Sequence, residues 1–136
     1  MTGGDRQPVA APPYAGRRVL VVDDERFIRT LLARMLAELG LEVVGTAADG
    51  NEAVALAEQL LPDLITLDIA MPGMDGLEAL ATILGRRPEA RVLMSTSFSD
   101  RRYVAEAVKR GARGYLTKPF DLAGIRDKLE QLFAPA

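Results

Sequence analysis

Acidic residues that directly follow apolar runs are the part of this sequence best suited to chemistry. Asp23 and Asp24 follow the run 19–22, and Asp68 follows the run 64–67. Carboxylates held close together repel one another, and a hard divalent cation such as Mg²⁺, which prefers oxygen ligands, relieves that repulsion. A carboxylate can also act as a nucleophile toward a phosphoryl group and form an aspartyl phosphate. The pattern therefore predicts a metal site at Asp23 and Asp24, with Asp68 as the phosphoryl acceptor.

Two further side chains would complete such a site. Thr96 ends another apolar run, and Lys118 follows a further one. The Lys118 ammonium would offset charge on a transferring phosphoryl group, and the Thr96 hydroxyl would hold one phosphoryl oxygen. Each of these polar residues, taken alone, has a simpler explanation as a helix cap, a turn residue or a solvated surface side chain. Their joint placement favours a single site.

The composition excludes several other kinds of chemistry. The 136-residue chain contains no histidine and no cysteine, which excludes Ser-His triads, zinc sites with such ligands, disulfides and cysteine nucleophiles. A formal net charge of -2 argues against nucleic acid as a direct partner. No apolar run approaches the ~18 residues that suggest a membrane span, and the N-terminus lacks the features of a signal peptide. We therefore expect a cytoplasmic protein with no membrane insertion.

The segments around these polar residues predict the elements that position them. Short β-branched runs alternate with segments of helical periodicity. Strands are predicted at 19–22, 42–46, 64–67, 92–96 and 114–117, and helices at 26–39, 51–61, 77–84, 101–110 and 121–133. This alternation requires right-handed crossovers and a parallel sheet covered on both faces. We expect one doubly wound α/β domain of (βα)5 organisation over residues 17–136, after a flexible N-terminal extension at residues 1–16.

The order of the strands decides whether the polar residues meet. In an open α/β sheet, ligands bind outside the carboxyl ends of the strands, near the point where the strand order reverses. If the five-stranded sheet has the order 2-1-3-4-5, the strands that end at Asp24, Asp68 and Thr96 are neighbours. We then expect their ends to converge on one pocket.

Taken together, these motifs resemble the receiver domains of response regulators, a family that includes the chemotaxis-type single-domain regulators. The resemblance runs from about residue 17 to residue 132. It is carried by VVDDE at 21–25, DLITLDIAMPGMDG at 63–76, VLMSTS at 92–97 and GARGYLTKPF at 111–120. It implies a two-component signalling switch rather than an enzyme, with at most self-catalysed phosphorylation and dephosphorylation.

The resemblance also implies a role for each acidic residue. Asp68 would accept a phosphoryl group from a histidine kinase or a histidine phosphotransfer protein. Asp24, Asp68 and the carbonyl of Ala70 would bind Mg²⁺ directly, and Asp23 would act mainly through water.

The remaining implied roles concern the switch. Thr96 would move toward the phosphoryl group, Tyr115 would turn inward behind it, and Lys118 would pair with it. The Lys118–Pro119 peptide bond is expected to be cis. The surface formed by helix four, strand five and helix five would then bind a downstream output protein, and we expect the chain to be a monomer or a weak dimer.

Phe27 is a candidate for partner docking. On the first predicted helix it shares a stripe with Arg34 and Glu38 rather than with the buried positions. It is either a partly buried edge residue or an apolar anchor for the phosphodonor, since exposed aromatic residues often carry interface energy.

Three other functions remain open from the sequence. The chain could be the receiver part of a larger DNA-binding or enzymatic regulator, although no output domain follows residue 133 in this sequence. It could be a phosphatase with an aspartate nucleophile, but such enzymes want a second aspartate where Ala70 stands. It could bind FMN, but the first strand is followed by Asp23 and Asp24 rather than by a hydroxyl- and glycine-rich phosphate loop.

Overall fold

Strands and helices alternate through the domain in the order that the sequence predicts. The computed structural model describes residues 10–135. The strands are β1 (Arg18–Val22), β2 (Glu42–Ala47), β3 (Leu64–Asp68), β4 (Arg91–Thr96) and β5 (Tyr115–Thr117). The helices are α1 (Arg26–Glu38), α2 (Gly50–Leu60), α3 (Gly76–Arg86), α4 (Val104–Lys109) and α5 (Leu122–Leu132). Neighbouring strands are parallel in the order β2-β1-β3-β4-β5, which confirms the predicted doubly wound fold.

The sheet is covered by helices on both faces. One face packs against α1 and α5, through residues such as Leu36 and Leu129. The other packs against α2, α3 and α4, through residues such as Leu80 and Ala107. All five residues of β3 are buried, which explains why this central strand is a nearly continuous apolar run. No helix among residues 10–135 is long and apolar enough to cross a membrane.

The fourth helix differs from its prediction. An α-helix was predicted over residues 101–110, but a 3₁₀ helix at Phe98–Tyr103 comes first and α4 has only six residues. The Ser97 hydroxyl donates to the Asp100 carboxylate at 3.0 Å, and the Asp100 N–H donates to the Ser97 carbonyl at 3.1 Å. Such local side-chain and backbone bonds compete with the α-helical pattern and favour a tighter turn. The predicted start of this helix is therefore wrong.

The N-terminal segment packs against the domain earlier than the predicted boundary at residue 17. Residues 1–9 of the predicted flexible extension lie outside the described residues. Tyr14 is 4% exposed and belongs to the core beneath α1 and α5. The Gly16 N–H also donates to the Gly40 carbonyl at 2.8 Å. Residues 14–16 therefore contribute to the packed domain.

Candidate functional site

Three carboxylates meet at the carboxyl ends of the neighbouring strands β1 and β3. Asp23 and Asp24 follow β1, and Asp68 is the last residue of β3. One carboxylate oxygen from each residue lies within 4.8 Å of the other two. The side chains of Asp23 and Asp68 are buried, whereas Asp24 is exposed. The cluster thus has an open side at Asp24, and its oxygen atoms are of the kind that hard divalent cations prefer.

Lys118 provides a positive charge at the same place. It follows β5, and its ammonium lies 2.8 Å from Asp23 Oδ2 and 3.4 Å from Asp68 Oδ1. The Lys118 side chain is only 17% exposed, so water screens this charge weakly. One ammonium therefore bridges two of the three carboxylates.

The electrostatics of the cluster disfavour the ionised form of Asp68. Burial raises the pKa of the Asp68 carboxyl from 3.8 to about 7, and the neighbouring charge of Asp23 adds to the rise, while Lys118 opposes it. Burial lowers the pKa of the Lys118 ammonium, but bonding to Asp23 and the charge of Asp68 outweigh this and raise it overall. In the absence of a metal, the single ammonium does not fully compensate the carboxylates.

Asp68→Asn is therefore expected to stabilise the protein in metal-free buffer. Because the pKa of Asp68 is higher in the folded state, the wild-type protein loses stability as pH rises from about 4 through about 7, whereas Asn does not titrate. The free energy of unfolding should favour the variant most above pH 7, by roughly 1–4 kcal/mol, since one pKa unit corresponds to about 1.4 kcal/mol. Urea unfolding with EDTA at pH 5 and pH 8 measures the difference. A variant that is less stable than wild type at pH 8 would contradict this account.

The two predicted switch hydroxyls each have a partner outside the carboxylate cluster. Thr96 is fully buried at the end of β4, and its hydroxyl donates to the Ser97 carbonyl at 3.0 Å. Tyr115 in β5 is half-buried, and its hydroxyl accepts a hydrogen bond from the Arg101 guanidinium at 3.0 Å on the exposed side. Both hydroxyls would have to exchange these partners in order to respond to a group on Asp68.

Ala70, the Lys118–Pro119 peptide bond and Phe27 were also singled out from the sequence. The Ala70 N–H donates to Asp68 Oδ1 at 3.3 Å, so the segment after β3 folds back onto the Asp68 carboxylate. The Lys118–Pro119 peptide bond is cis. Phe27, in the first turn of α1, is 75% exposed, which excludes the interpretation as a partly buried edge residue.

Sequence reasoning missed two residues that position the site. The Arg29 guanidinium on α1 donates to the Asp23 carbonyl at 2.7 Å. This bond ties the acidic loop, residues 23–25 between β1 and α1, to the helix. Gly76 begins α3 against the end of β3, where an added Cβ would lie 2.7 Å from the Ile69 Cα and closer still to the Asp68 carbonyl. The sequence did carry a signal for Arg29, because it stands one helical turn beyond the acidic pair. The sequence 72–76 indicated only a turn, so it gave no sign of the close approach.

A comparison with models of protein families identifies most of the chain as a known domain. Residues 19–130 match the model of the response regulator receiver domain. The chemotaxis protein CheY of Listeria monocytogenes is 40% identical over 114 residues, which cover 84% of this chain and 96% of that protein. The transcriptional regulatory protein PdtaR of Mycobacterium tuberculosis is 45% identical over 130 residues, or 96% of this chain, but this chain spans only 62% of its length.

Solved structures agree with these sequence relatives. The structure of a CheX–CheY–BeF3–Mg complex from Borrelia burgdorferi contains a chain with a TM-score of 0.86 and 30% sequence identity. The match covers 93% of this chain and all of that one. The response regulator domain of CheB from Thermotoga maritima matches with a TM-score of 0.77 and 36% identity, over 89% of this chain and 98% of that one.

Proposed function

The chain belongs to the response regulator receiver domain family of two-component signalling, and we propose that it is an Mg²⁺-dependent switch that accepts a phosphoryl group on Asp68. The observation that carries this assignment is the Lys118 ammonium between Asp23 and Asp68, at the open carboxylate cluster. The donor is a histidine kinase or a histidine phosphotransfer protein, and the location is the cytoplasm. The proposal is tested by measuring the transfer of a radiolabelled phosphoryl group from a phosphodonor to the wild-type protein and to a variant that lacks the Asp68 carboxylate.

The acceptor reaction follows from the chemistry of the cluster. An Asp68 carboxylate oxygen attacks the phosphorus of a phosphohistidine, a new O–P bond forms, and the P–N bond to the donor imidazole breaks. Lys118 lies close enough to Asp68 to offset charge on the phosphoryl oxygens as they arrive. No histidine of this chain is needed, because the leaving group belongs to the donor.

The carboxylate cluster fits a divalent cation, since three carboxylate oxygens lie within 4.8 Å of one another. Asp24, Asp68 and the carbonyl of Ala70 would hold Mg²⁺ directly. Asp23 is already engaged by Lys118 at 2.8 Å and by the Glu25 N–H at 2.9 Å, which supports a role through water. When bound, the ion would neutralise carboxylate and phosphoryl charge.

The switch couples the acceptor to the surface formed by α4, β5 and α5, which we propose as the binding face for a separate output protein. After phosphorylation, the Thr96 hydroxyl leaves the Ser97 carbonyl for a phosphoryl oxygen, and Tyr115 turns inward behind it. Tyr115 then releases Arg101, its present partner. A local exchange of hydrogen bonds at Asp68 thereby changes an exposed surface, with the protein remaining a monomer or a weak dimer.

A beryllofluoride mimic of the phosphoryl group, added with Mg²⁺, is expected to shift the amide signals of residues 100–110 and of Tyr115. The reason is that the Arg101–Tyr115 hydrogen bond must break when the ring turns inward. Heteronuclear NMR spectra of the free and beryllofluoride-bound protein measure the shifts, and Tyr115→Phe, which lacks the hydroxyl, serves as the comparison. Changes confined to the loops beside Asp68 would show that this switch mechanism is wrong.

Phe27→Ala is expected to slow phosphoryl transfer from a protein donor about tenfold while leaving transfer from acetyl phosphate unchanged. Phe27 is exposed in the first turn of α1, two residues beyond the acidic loop, where a docked donor would cover it and gain apolar contact. Rates of transfer from each donor to the variant provide the measurement. Val108→Ala removes an exposed apolar side chain from α4 instead and should leave both rates unchanged. Equal slowing with the two donors would mean that Phe27 acts on the acceptor site itself and not on the docking of a donor.

A further inference from the structure

A small cavity lies between α2 and α3, and its volume is about 150 Å³. The apolar part of its lining consists of Val54, Ala57, Leu61 and Ile83. Ala57 and Ile83 are buried, whereas Leu61 is 54% exposed, so Leu61 lies at the rim. An apolar cavity of about this size can hold one benzene ring. The apolar part of the cavity therefore fits a ligand with a single ring.

Leu61 stands at a backbone position that favours other residue types. It is the C-cap of α2 and has the left-handed conformation, with φ at 49°. Pro62 follows it, which disfavours continuation of the α-helical conformation. Glycine and asparagine adopt the left-handed conformation at a lower cost than leucine does. Burial does not explain the leucine, because more than half of the residue is exposed. Leucine does, however, give the cavity an apolar wall that glycine or asparagine would not provide.

The charged residues of the lining leave one cation poorly paired. Glu58 and Arg86 form an ion pair with each other at 2.8 Å, so their charges offset. The third charged residue is Arg87, whose Nε lies 3.6 Å from Glu89 Oε1, a distance longer than a hydrogen bond. Arg87 Nη1 is buried and has no hydrogen-bond partner within residues 10–135. Neither nitrogen would lose a hydrogen bond if the guanidinium turned toward the cavity, and an anion there would satisfy it.

We propose that this α2–α3 cavity binds a small aromatic carboxylate with a single ring. The ring fills the apolar part of the cavity beside Leu61, and the carboxylate accepts hydrogen bonds from the Arg87 guanidinium, whose planar fork matches a carboxylate. The ligand is an anion because Arg87 supplies the net charge of the lining, the other two charged residues being paired with each other. The proposal goes beyond the proposed function, since no step of it involves Asp68. The competing explanation is a packing gap between the helices that takes up only water.

The test titrates three small probes into the full chain and follows the amide NMR signals of the protein. The probes are benzoate, benzyl alcohol and acetate. Benzoate should shift the signals of Ala57, Leu61 and Arg87 with a dissociation constant of about 1 mM or below. Benzyl alcohol has the ring without the charge, and acetate has the charge without the ring. Each of these two should bind at least about fivefold more weakly than benzoate, because each makes only one of the two interactions.

Three variants separate the contributions of the charge and of the apolar wall. Arg87→Gln should weaken benzoate binding at least about fivefold and leave benzyl alcohol binding unchanged, which also shows that the cavity is intact. Arg34→Gln removes an exposed cation from α1, on the other face of the sheet, and should leave both affinities unchanged. Leu61→Asn keeps a residue that tolerates the left-handed conformation but removes the apolar wall. It should weaken benzoate and benzyl alcohol alike, by about threefold.

Three results would overturn the proposal. The first is the absence of a saturable shift with benzoate at about 10 mM, which would identify the cavity as a packing gap. The second is equal binding of benzoate and benzyl alcohol, which would show that Arg87 does not select an anion. The third is an equal loss of benzoate affinity in Arg87→Gln and Arg34→Gln, which would mean that benzoate responds only to the overall charge of the protein.

Discussion

Asp68→Asn and Asp68→Ala are expected to reduce phosphoryl transfer to the protein below detection, a loss of at least about a hundredfold, because each removes the carboxylate that we propose as the nucleophile. Asp68 is the buried carboxylate that contacts Lys118 at the end of the central strand. No other carboxylate in the cluster combines this position with the backbone contact from Ala70. Incorporation of radiolabel from acetyl phosphate measures the effect, and the label on wild type should be lost at alkaline pH, as expected for an acyl phosphate.

The loss must be separated from misfolding and from a general effect of removing acid groups. Asp127→Asn removes an exposed carboxylate from α5 and should be labelled at the wild-type rate. Thermal unfolding should show that the Asp68 variants are folded. Labelling of Asp68→Ala at the normal rate, with the acyl phosphate on another residue, would refute the assignment of the acceptor.

Asp24→Ala is expected to lower Mg²⁺ affinity at least tenfold and to slow phosphoryl transfer about a hundredfold, and EDTA should stop transfer to the wild-type protein. Asp24 is the exposed member of the carboxylate cluster, so its truncation removes a proposed metal ligand and leaves no cavity in the core. With less metal bound, less positive charge offsets the repulsion between the remaining carboxylates and the incoming phosphoryl group. Isothermal titration with Mg²⁺ and labelling rates measure the two effects.

Glu25→Gln is the matched control for this experiment. Glu25 is also exposed and directly follows Asp24, but its carboxylate is not part of the cluster. The control variant should keep its Mg²⁺ affinity and most of its transfer rate. Undiminished transfer to wild type in EDTA would count decisively against a metal at this cluster.

The fold and the acidic cluster were accessible from the sequence because both depend on regular patterns. Buried β-branched runs alternate with helical periodicity, and parallel strands deliver their carboxyl ends to one edge. Asp23 and Asp68 therefore meet in the structure as predicted, with Lys118 between them. The raised pKa of Asp68 could not be predicted in the same way, because it depends mainly on how deeply the carboxyl is buried. Periodicity describes burial only coarsely.

The features that were missed depend on single contacts rather than on periodicity. Ser97 and Asp100 hold a 3₁₀ turn where the helical pattern alone predicted α-helix. Tyr14 lies in a proline-rich segment with no periodic pattern, yet it fills a space under the sheet. Arg29 donates to a backbone carbonyl of the acidic loop, and a sequence does not show which carbonyls are within reach. Such contacts are specified only by the assembled fold.

The close approach of Gly76 to the end of β3 affects how the results of saturation mutagenesis of this domain should be interpreted. Any side chain at Gly76 would collide with the backbone of Ile69, and one at Gly50 would lie 2.8 Å from the Cβ of Met74. In a survey scored by signalling output, both glycines would appear as intolerant as Asp68, although neither does chemistry. Scoring cellular abundance alongside output separates the two classes: the glycine variants lose both, while Asp68→Asn keeps its abundance and loses only its signal.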